Sequence, residues 1–186
     1  MKKVVFILNA IICICIVSCH RSPKPLQSEE IIKQAAESPN INVSHKQYVV
    51  NAPTGWRETD TSIQGVKVYF IFAPKDGSNI QSNLNIVNGN MQGYSLDDYV
   101  KATLSNMQQS LPSFKELGQG DFETDSHVKA KWIHYSESMN GIDFEHIVYT
   151  IPINGIAYGL TGTSAQGKLD KYKSDFDAIA KSFHLK

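Results

Sequence analysis

One stretch of the sequence resembles a nucleotide-binding loop. Residues 162–168 read Gly-Thr-Ser-Ala-Gln-Gly-Lys, which matches the first seven positions of a phosphate-binding P-loop between a predicted strand and a predicted helix. The eighth position is Leu169, so the hydroxyl that would hold Mg²⁺ is missing. The strands before it also lack the pattern of a parallel nucleotide-binding sheet. We therefore interpret the stretch as the glycine-rich start of a helix.

Two histidines offer a second candidate chemistry. His134 and His146 lie on the two arms of a hairpin predicted at Asn140-Gly141, and with Glu137 or Glu145 nearby they would suit a zinc ion. Neighbouring residues of a strand face opposite sides of the sheet, so His146 and Glu145 cannot both reach one ion. Two partly exposed strand histidines are therefore the favoured interpretation. A metal-dependent enzyme stays open as an alternative.

The acidic side chains are not spaced for catalysis. Asp97-Asp98 follows Ser95 in the pattern of a helix cap, and the aspartates of the last predicted helix lie largely on its polar side. Glycosidase chemistry needs two carboxylates that face each other across a cleft. No Gly-x-Ser-x-Gly nucleophile motif occurs in the sequence. We therefore predict that the protein is not an enzyme and that it uses no cofactor and no metal.

Aromatic side chains are more numerous than catalytic types. The chain has eight Phe, eight Tyr and two Trp, and most of them have the spacing of core residues. Tyr94, Tyr135, Tyr149 and Tyr158 could instead line a surface for a ligand or a protein partner, because tyrosine suits partly wet interfaces. These four residues are the candidate binding surface.

The amino terminus carries the clearest functional signal. Two lysines precede the almost unbroken apolar run of residues 4–17, which is too short to cross a bilayer as a helix and is typical of an export signal. The next residues complete the sequence Ile16-Val17-Ser18-Cys19, which resembles the bacterial lipobox. That resemblance implies cleavage before Cys19 and acylation of its sulfur. The alternatives are a signal cut elsewhere and an uncleaved anchor.

Acylation would determine where the protein works. Acyl chains on Cys19 would hold it in the membrane, as a lipoprotein of a bacterial cell envelope on the periplasmic face or the outer membrane. His20 follows the cysteine instead of an aspartate, so nothing signals retention at the inner membrane. The other cysteines, Cys13 and Cys15, lie within the predicted signal, so the folded domain is expected to be stable without disulfides.

The rest of the chain divides into a tether and one domain. Residues 1–18 are the predicted signal peptide, and residues 19–45 are a polar tether with a short helix predicted over residues 28–36. Residues 46–186 are predicted to form a single domain, since 41% hydrophobic and 19% charged residues are a globular composition. The 18 basic and 18 acidic side chains balance, which argues against a nucleic-acid partner.

Hydrophobic periodicity predicts an α+β domain. Strands are predicted over residues 48–50, 66–73, 82–87, 114–117, 122–123, 128–136, 142–151 and 157–163. Helices are predicted over residues 95–111, ended by Pro112, and over residues 168–183. Asn140-Gly141 and Asn154-Gly155 are the strongest hairpin turns, because both residues of each pair tolerate positive φ. The order indicates helices packed on an antiparallel sheet.

Four short motifs resemble the PsbP-like fold, a group that includes the photosystem II extrinsic subunit and bacterial DcrB-type lipoproteins. They are Pro53-Thr54-Gly55-Trp56, Ser95-Leu96-Asp97-Asp98-Tyr99, Ala157-Tyr158-Gly159-Leu160-Thr161 and the closing stretch 176–183. The resemblance covers roughly residues 46–186 and implies an α/β/α sandwich. Members of this group are usually non-catalytic accessories to membrane complexes. The matched positions are core and turn residues, so no functional residue carries over.

Three functions follow from these observations. The first is a non-enzymatic, membrane-tethered binding or adaptor module for another envelope protein, which predicts an exposed apolar and aromatic patch. The second is a carrier of a small ligand in a cleft between sheet and helix. The third is the metal-dependent enzyme, which requires His134 and His146 within coordination distance of one ion.

Overall fold

The structure is a computed structural model, and it describes residues 47–63, 66–111 and 113–186. The predicted signal peptide, the predicted lipidation residue Cys19 and the predicted tether of residues 19–45 lie outside the described residues. Pro112, the predicted end of the middle helix, lies outside them as well.

Nine strands and two helices make up the described part of the chain. In chain order they are β1 (Tyr48–Val49), β2 (Arg57–Ile63), β3 (Val66–Phe72), β4 (Asn83–Asn90), α1 (Leu96–Ser110), β5 (Lys115–Glu123), β6 (Lys129–Met139), β7 (Ile142–Ile153), β8 (Ile156–Ala165), α2 (Leu169–Ser182) and β9 (His184–Leu185). Seven strands form one antiparallel sheet in the order β2-β3-β4-β8-β7-β6-β5. The short strands β1 and β9 pair with each other.

The central strands are buried on both sides because helices cover both faces of the sheet. In β7, Ile147, Tyr149 and Ile151 belong to the core under α2, whereas Val148 packs under α1. We call these two sides of the sheet the α2 face and the α1 face. The predicted α+β architecture, with an antiparallel sheet between helices, is confirmed.

Helix α2 covers the larger core. Its buried apolar side chains recur at helical spacing: Leu169, Tyr172, Phe176, Ile179 and Ala180. Trp56, from the predicted Pro-x-Gly-Trp turn, lies edge-on to Tyr172 and Phe176, with ring centroids 6.0 and 5.8 Å away. The turn itself is closed by a hydrogen bond from the Trp56 amide to the Pro53 carbonyl.

Helix α1 begins as the sequence predicts. The Oγ of Ser95 accepts a hydrogen bond from the amide of Asp98 at 3.1 Å, which caps the first turn. Its apolar side packs on the sheet in a cluster formed by Val100, Met107, Leu111, Ile133, Tyr135 and Val148. No helix in the described part of the chain is both long enough and apolar enough to span a membrane.

One predicted strand end is wrong and two strands were not predicted. Asn88-Gly89 does not end a strand, because β4 continues to Asn90 and keeps its pairing with β8 there. Hydrophobic periodicity missed β2, whose polar sequence suits an edge position. It also missed β9, which has only two residues.

The predicted strands at 114–117 and 122–123 are one strand, β5, which continues through Gly118 and Gly120. The indole of Trp132, on the neighbouring strand, lies against both glycines. A Cβ atom at Gly120 would be 2.9 Å from Nε1 of Trp132, and one at Gly118 would be 3.5 Å from its ring. These glycines therefore make room for an aromatic ring and do not mark a turn.

Candidate functional site

A connected group of polar side chains is buried on the α1 face. Nδ1 of His146 lies 3.0 Å from Oγ1 of Thr163 in a hydrogen bond. Its Nε2 lies 3.1 Å from Oε1 of Glu137, within ion-pair distance but not aligned as a hydrogen bond. Carboxylate, imidazole and hydroxyl thus follow one another across β6, β7 and β8, which is the order found in nucleophile relays.

Aromatic rings close this group off from solvent. The His146 ring stacks on Tyr135 with centroids 4.7 Å apart and on Phe144 with centroids 5.8 Å apart. Thr163 is only 3% exposed, so a substrate cannot reach its hydroxyl in this conformation. The arrangement suits a buried polar network that fixes the packing of three strands.

The two histidines of the predicted zinc site lie on opposite faces of the sheet. His146 is on the α1 face, whereas His134 aligns with Ala130 and Trp132 on the α2 face. One ion cannot bind both rings, and no group of three metal-ligating side chains occurs among the described residues. His146 is also buried, not partly exposed as predicted. The hypothesis of a zinc ion held by this pair is therefore wrong.

His134 is half-buried beside the start of α2. Burial lowers the pKa of its imidazole, and this effect outweighs the opposing influence of the Glu145 and Asp170 carboxylates. Its Nε2 atom is buried and has no hydrogen-bond partner among the described residues. The side chain therefore favours the neutral form.

The stretch that resembles a P-loop does not form a phosphate cradle. Residues through Ala165 stay in extended strand β8, and Gly162 lies directly under the ring of Phe176. The Glu145 carboxylate accepts hydrogen bonds from the amides of Gly167 and Leu169, at 2.9 and 3.4 Å. The chain's own carboxylate thus occupies the anion-binding end of α2. The interpretation as a helix start is confirmed.

The four candidate tyrosines do not share one surface. Tyr149 and Tyr158 are buried on the α2 face and Tyr135 is buried on the α1 face, while Tyr94 is 40% exposed. Burial raises the pKa of Tyr149, and its hydroxyl donates a hydrogen bond to Asp177 of α2. Three of the four therefore serve the core in this conformation. Only Tyr94 presents its ring to solvent.

The outer edge of β5 offers a second exposed apolar feature. Leu117 is 41% exposed, and with Tyr94 it makes up the large exposed hydrophobic residues of the described chain. It lies where the pairing of β5 with β6 is irregular, between Glu116 and Gly118. Among the strands of the described residues β5 pairs only with β6, so its other side is an edge of the described sheet. Such an edge can accept an added strand.

Two solved structures share this fold. LpqN from Mycobacterium tuberculosis, described as involved in cell envelope biogenesis, aligns over 84% of this chain and 95% of its own, with 14% identity and a TM-score of 0.57. PA94 from Pseudomonas aeruginosa, a protein of unknown function, aligns over 67% of this chain and 94% of its own, with 18% identity and a TM-score of 0.56. No protein-family model and no curated protein matches the chain.

The cyanobacterial PsbP protein of Synechocystis sp. PCC 6803 is also similar, over 81% of this chain and 99% of its own, with 14% identity and a TM-score of 0.49. The fold shared with LpqN and PA94 is the antiparallel sheet between helices that the PsbP-like sequence motifs predict, whereas the narrower DcrB-type assignment is not confirmed. At these identities the similarity concerns the fold alone.

Proposed function

We propose that this protein is a lipid-anchored component of a bacterial cell envelope whose folded domain binds another envelope protein without catalysing a reaction. The sequence Ile16-Val17-Ser18-Cys19 after a charged and apolar leader carries the anchoring part of the proposal. The fold shared with LpqN, a protein involved in cell envelope biogenesis, supports the same location.

The placement of reactive side chains supports a binding role. The carboxylate, imidazole and hydroxyl of Glu137, His146 and Thr163 are closed off by stacked rings. The anion-binding end of α2 is filled by Glu145. These four side chains, which could otherwise take part in catalysis or anion binding, thus contact other parts of the domain and stabilise its fold.

The free edge of β5 is the binding surface that we propose. Its centre, residues 117–120, reads Leu-Gly-Gln-Gly and carries no charge, so no side chain there repels an incoming strand. Leu117 offers an apolar side chain next to the unpaired backbone. An extended segment of a partner protein would add to this edge through main-chain hydrogen bonds.

Mass spectrometry of the protein purified from membranes tests the anchor. We expect an amino terminus at Cys19 that carries acyl chains, and a Cys19→Ala variant that leaves the membrane fraction. An unmodified amino terminus, or cleavage at another bond, would refute the anchoring proposal.

Site-specific photo-crosslinking in intact cells tests the binding edge. A crosslinker at Leu117 should give one discrete adduct, whereas a crosslinker at the exposed Lys101 of α1 should give none. The adduct should disappear in the Cys19→Ala variant, because the released protein no longer meets its partner at the membrane. Equal adducts at both positions would contradict a specific binding edge.

A further inference from the structure

One row of paired residues crosses almost the whole sheet on the α1 face. In the order of the strands it consists of Thr59, Phe70, Asn85, Thr161, Val148 and Ile133. Val148 and Ile133 are covered by α1. At the other end of the row Thr59 is 0% exposed and Phe70 is 1% exposed. Both halves of this face are therefore buried.

The half formed by β2, β3 and β4 is apolar enough to require a cover. Phe70 and Phe72 stack with ring centroids 5.4 Å apart, and both are fully buried. Neither ring belongs to the hydrophobic clusters that α1 forms with other described residues. The guanidinium of Arg57 lies over Phe72, 4.9 Å from the ring centroid, but one side chain is too small to cover both rings. Another part of this chain must therefore exclude water from them.

Helix α1 lies over β6 and β7 and is too narrow to cover β3 as well. Three strand spacings, each about 4.8 Å, separate β7 from β3, a total of roughly 14 Å. Packed helices lie about 8–10 Å apart. The face beside α1 therefore has room for one more helix over β3.

We propose that residues 28–36 of this same chain form that cover. Ile31, Ile32 and Ala35 fall on one side of a helix over this segment, with Glu30 and Lys33 on the other. The segment would lay its apolar side on Phe70 and Phe72, as α1 does on the other half of the face.

The chain is long enough for this arrangement. The described domain begins at Gln47 and Tyr48, whose ring packs on the α2 face against Tyr158 and Phe183. The segment must therefore pass around the sheet to reach the α1 face. The residues from Ala36 to Gln47 can span up to about 36 Å, more than three helix diameters of about 10 Å.

Docking of this segment would shorten the tether. If Cys19 holds the acyl chains, which rests on the proposed function, only the nine residue steps from Cys19 to Ser28 remain free. Their greatest span is about 30 Å, compared with about 95 Å for the whole stretch up to Gln47. The domain would then work close to the membrane surface.

Thiol labelling of the full chain in mild detergent tests the proposal. The three native cysteines are first changed to alanine, so that the result does not depend on acylation. Thr59→Cys then reports on the proposed docking site, and Val148→Cys reports on the half of the same row that α1 covers. A maleimide should label both slowly in the otherwise unchanged chain.

A charge on the apolar side of the segment should expose the cysteine at position 59 to maleimide and leave the cysteine at position 148 protected. Ile31→Asp should raise the labelling rate of Thr59→Cys at least tenfold and leave Val148→Cys unchanged. Gln34→Asp adds the same charge to the same segment and should change neither rate.

Three results would overturn the proposal. The first is fast labelling of Thr59→Cys without any change in the segment, which would mean that the face is open. The second is an equal response to Ile31→Asp and Gln34→Asp. The third is protection that Ile31→Asp does not remove, in a protein that sediments as a dimer, which would assign the face to a second copy.

Discussion

Gly162 is predicted to reject even a methyl side chain. A Cβ atom there would lie 2.7 Å from Cδ2 and 2.8 Å from Cγ of Phe176, whereas carbon atoms in contact are normally 3.5–4.0 Å apart. Phe176 is 0% exposed, so its ring or the strand must shift by about 1 Å within a packed core. Overpacking of this kind costs about 2 kcal/mol.

Thermal and urea unfolding followed by circular dichroism would measure this cost. Gly162→Ala should lower the melting temperature by roughly 6 °C, since 1 kcal/mol corresponds to about 3 °C for a domain of this size. Gly118→Ala is the matched control, because its Cβ atom would meet Trp132 at an ordinary 3.5 Å. We expect that control to change the free energy of unfolding by less than about 0.5 kcal/mol.

A double-mutant cycle would show whether Phe176 is the cause. In a Phe176→Leu background the ring is gone, and Gly162→Ala should cost about 1 kcal/mol less than it does alone. A Gly162→Ala protein as stable as the unchanged chain would refute the packing argument. A full cost in both backgrounds would show that another contact is responsible.

Three further predictions concern polar side chains. Burial lowers the pKa of His134, so the unfolded chain binds more protons than the folded one as the pH falls through about 6.5. The free energy of unfolding measured in urea titrations should therefore decrease as the pH falls through that range. The decrease should be smaller in the His134→Gln variant. Glu145→Ala should lower the free energy of unfolding by about 1 kcal/mol, because two amides at the start of α2 lose their acceptor, while Glu145→Gln should lose less. Glu137→Ala should lower the free energy of unfolding by about 1–3 kcal/mol, because a buried imidazole loses the carboxylate beside it. Adding His146→Phe to Glu137→Ala should recover part of that stability in the same assay.

Hydrophobic period and turn chemistry were sufficient to predict most of the fold. The apolar stripe from Leu169 to Phe183 predicted the last helix, and Ser95 predicted the start of the middle one. Both Asn-Gly pairs adopt the positive φ that their hairpins need, at 55° and 78° for Asn140 and Gly141. The prediction of β5 failed because its glycines appeared to break the strand. These glycines make room for the ring of Trp132, which is more than ten residues away in sequence, so the local pattern could not reveal their role.

The buried polar group could have been found from the same turns. A two-residue hairpin fixes which residues face each other, so Asn140-Gly141 places His146 opposite Tyr135, and Asn154-Gly155 places it opposite Thr163. Reading both registers together would also have put His134 and His146 on opposite faces. The burial of the tyrosines could not be read this way, because it depends on where α1 and α2 pack.

The pairing of β1 with β9 has a practical consequence for anyone who adds a reporter to this protein. The amide of Lys186 donates to the carbonyl of Gln47, so Lys186 lies beside the point where the amino-terminal stretch enters the domain. A fluorescent protein or affinity tag fused after Lys186 would therefore crowd that junction. The Asn140-Gly141 turn lies at the far end of β7, roughly 35 Å from the Asn154-Gly155 turn, and is the better place for an insertion.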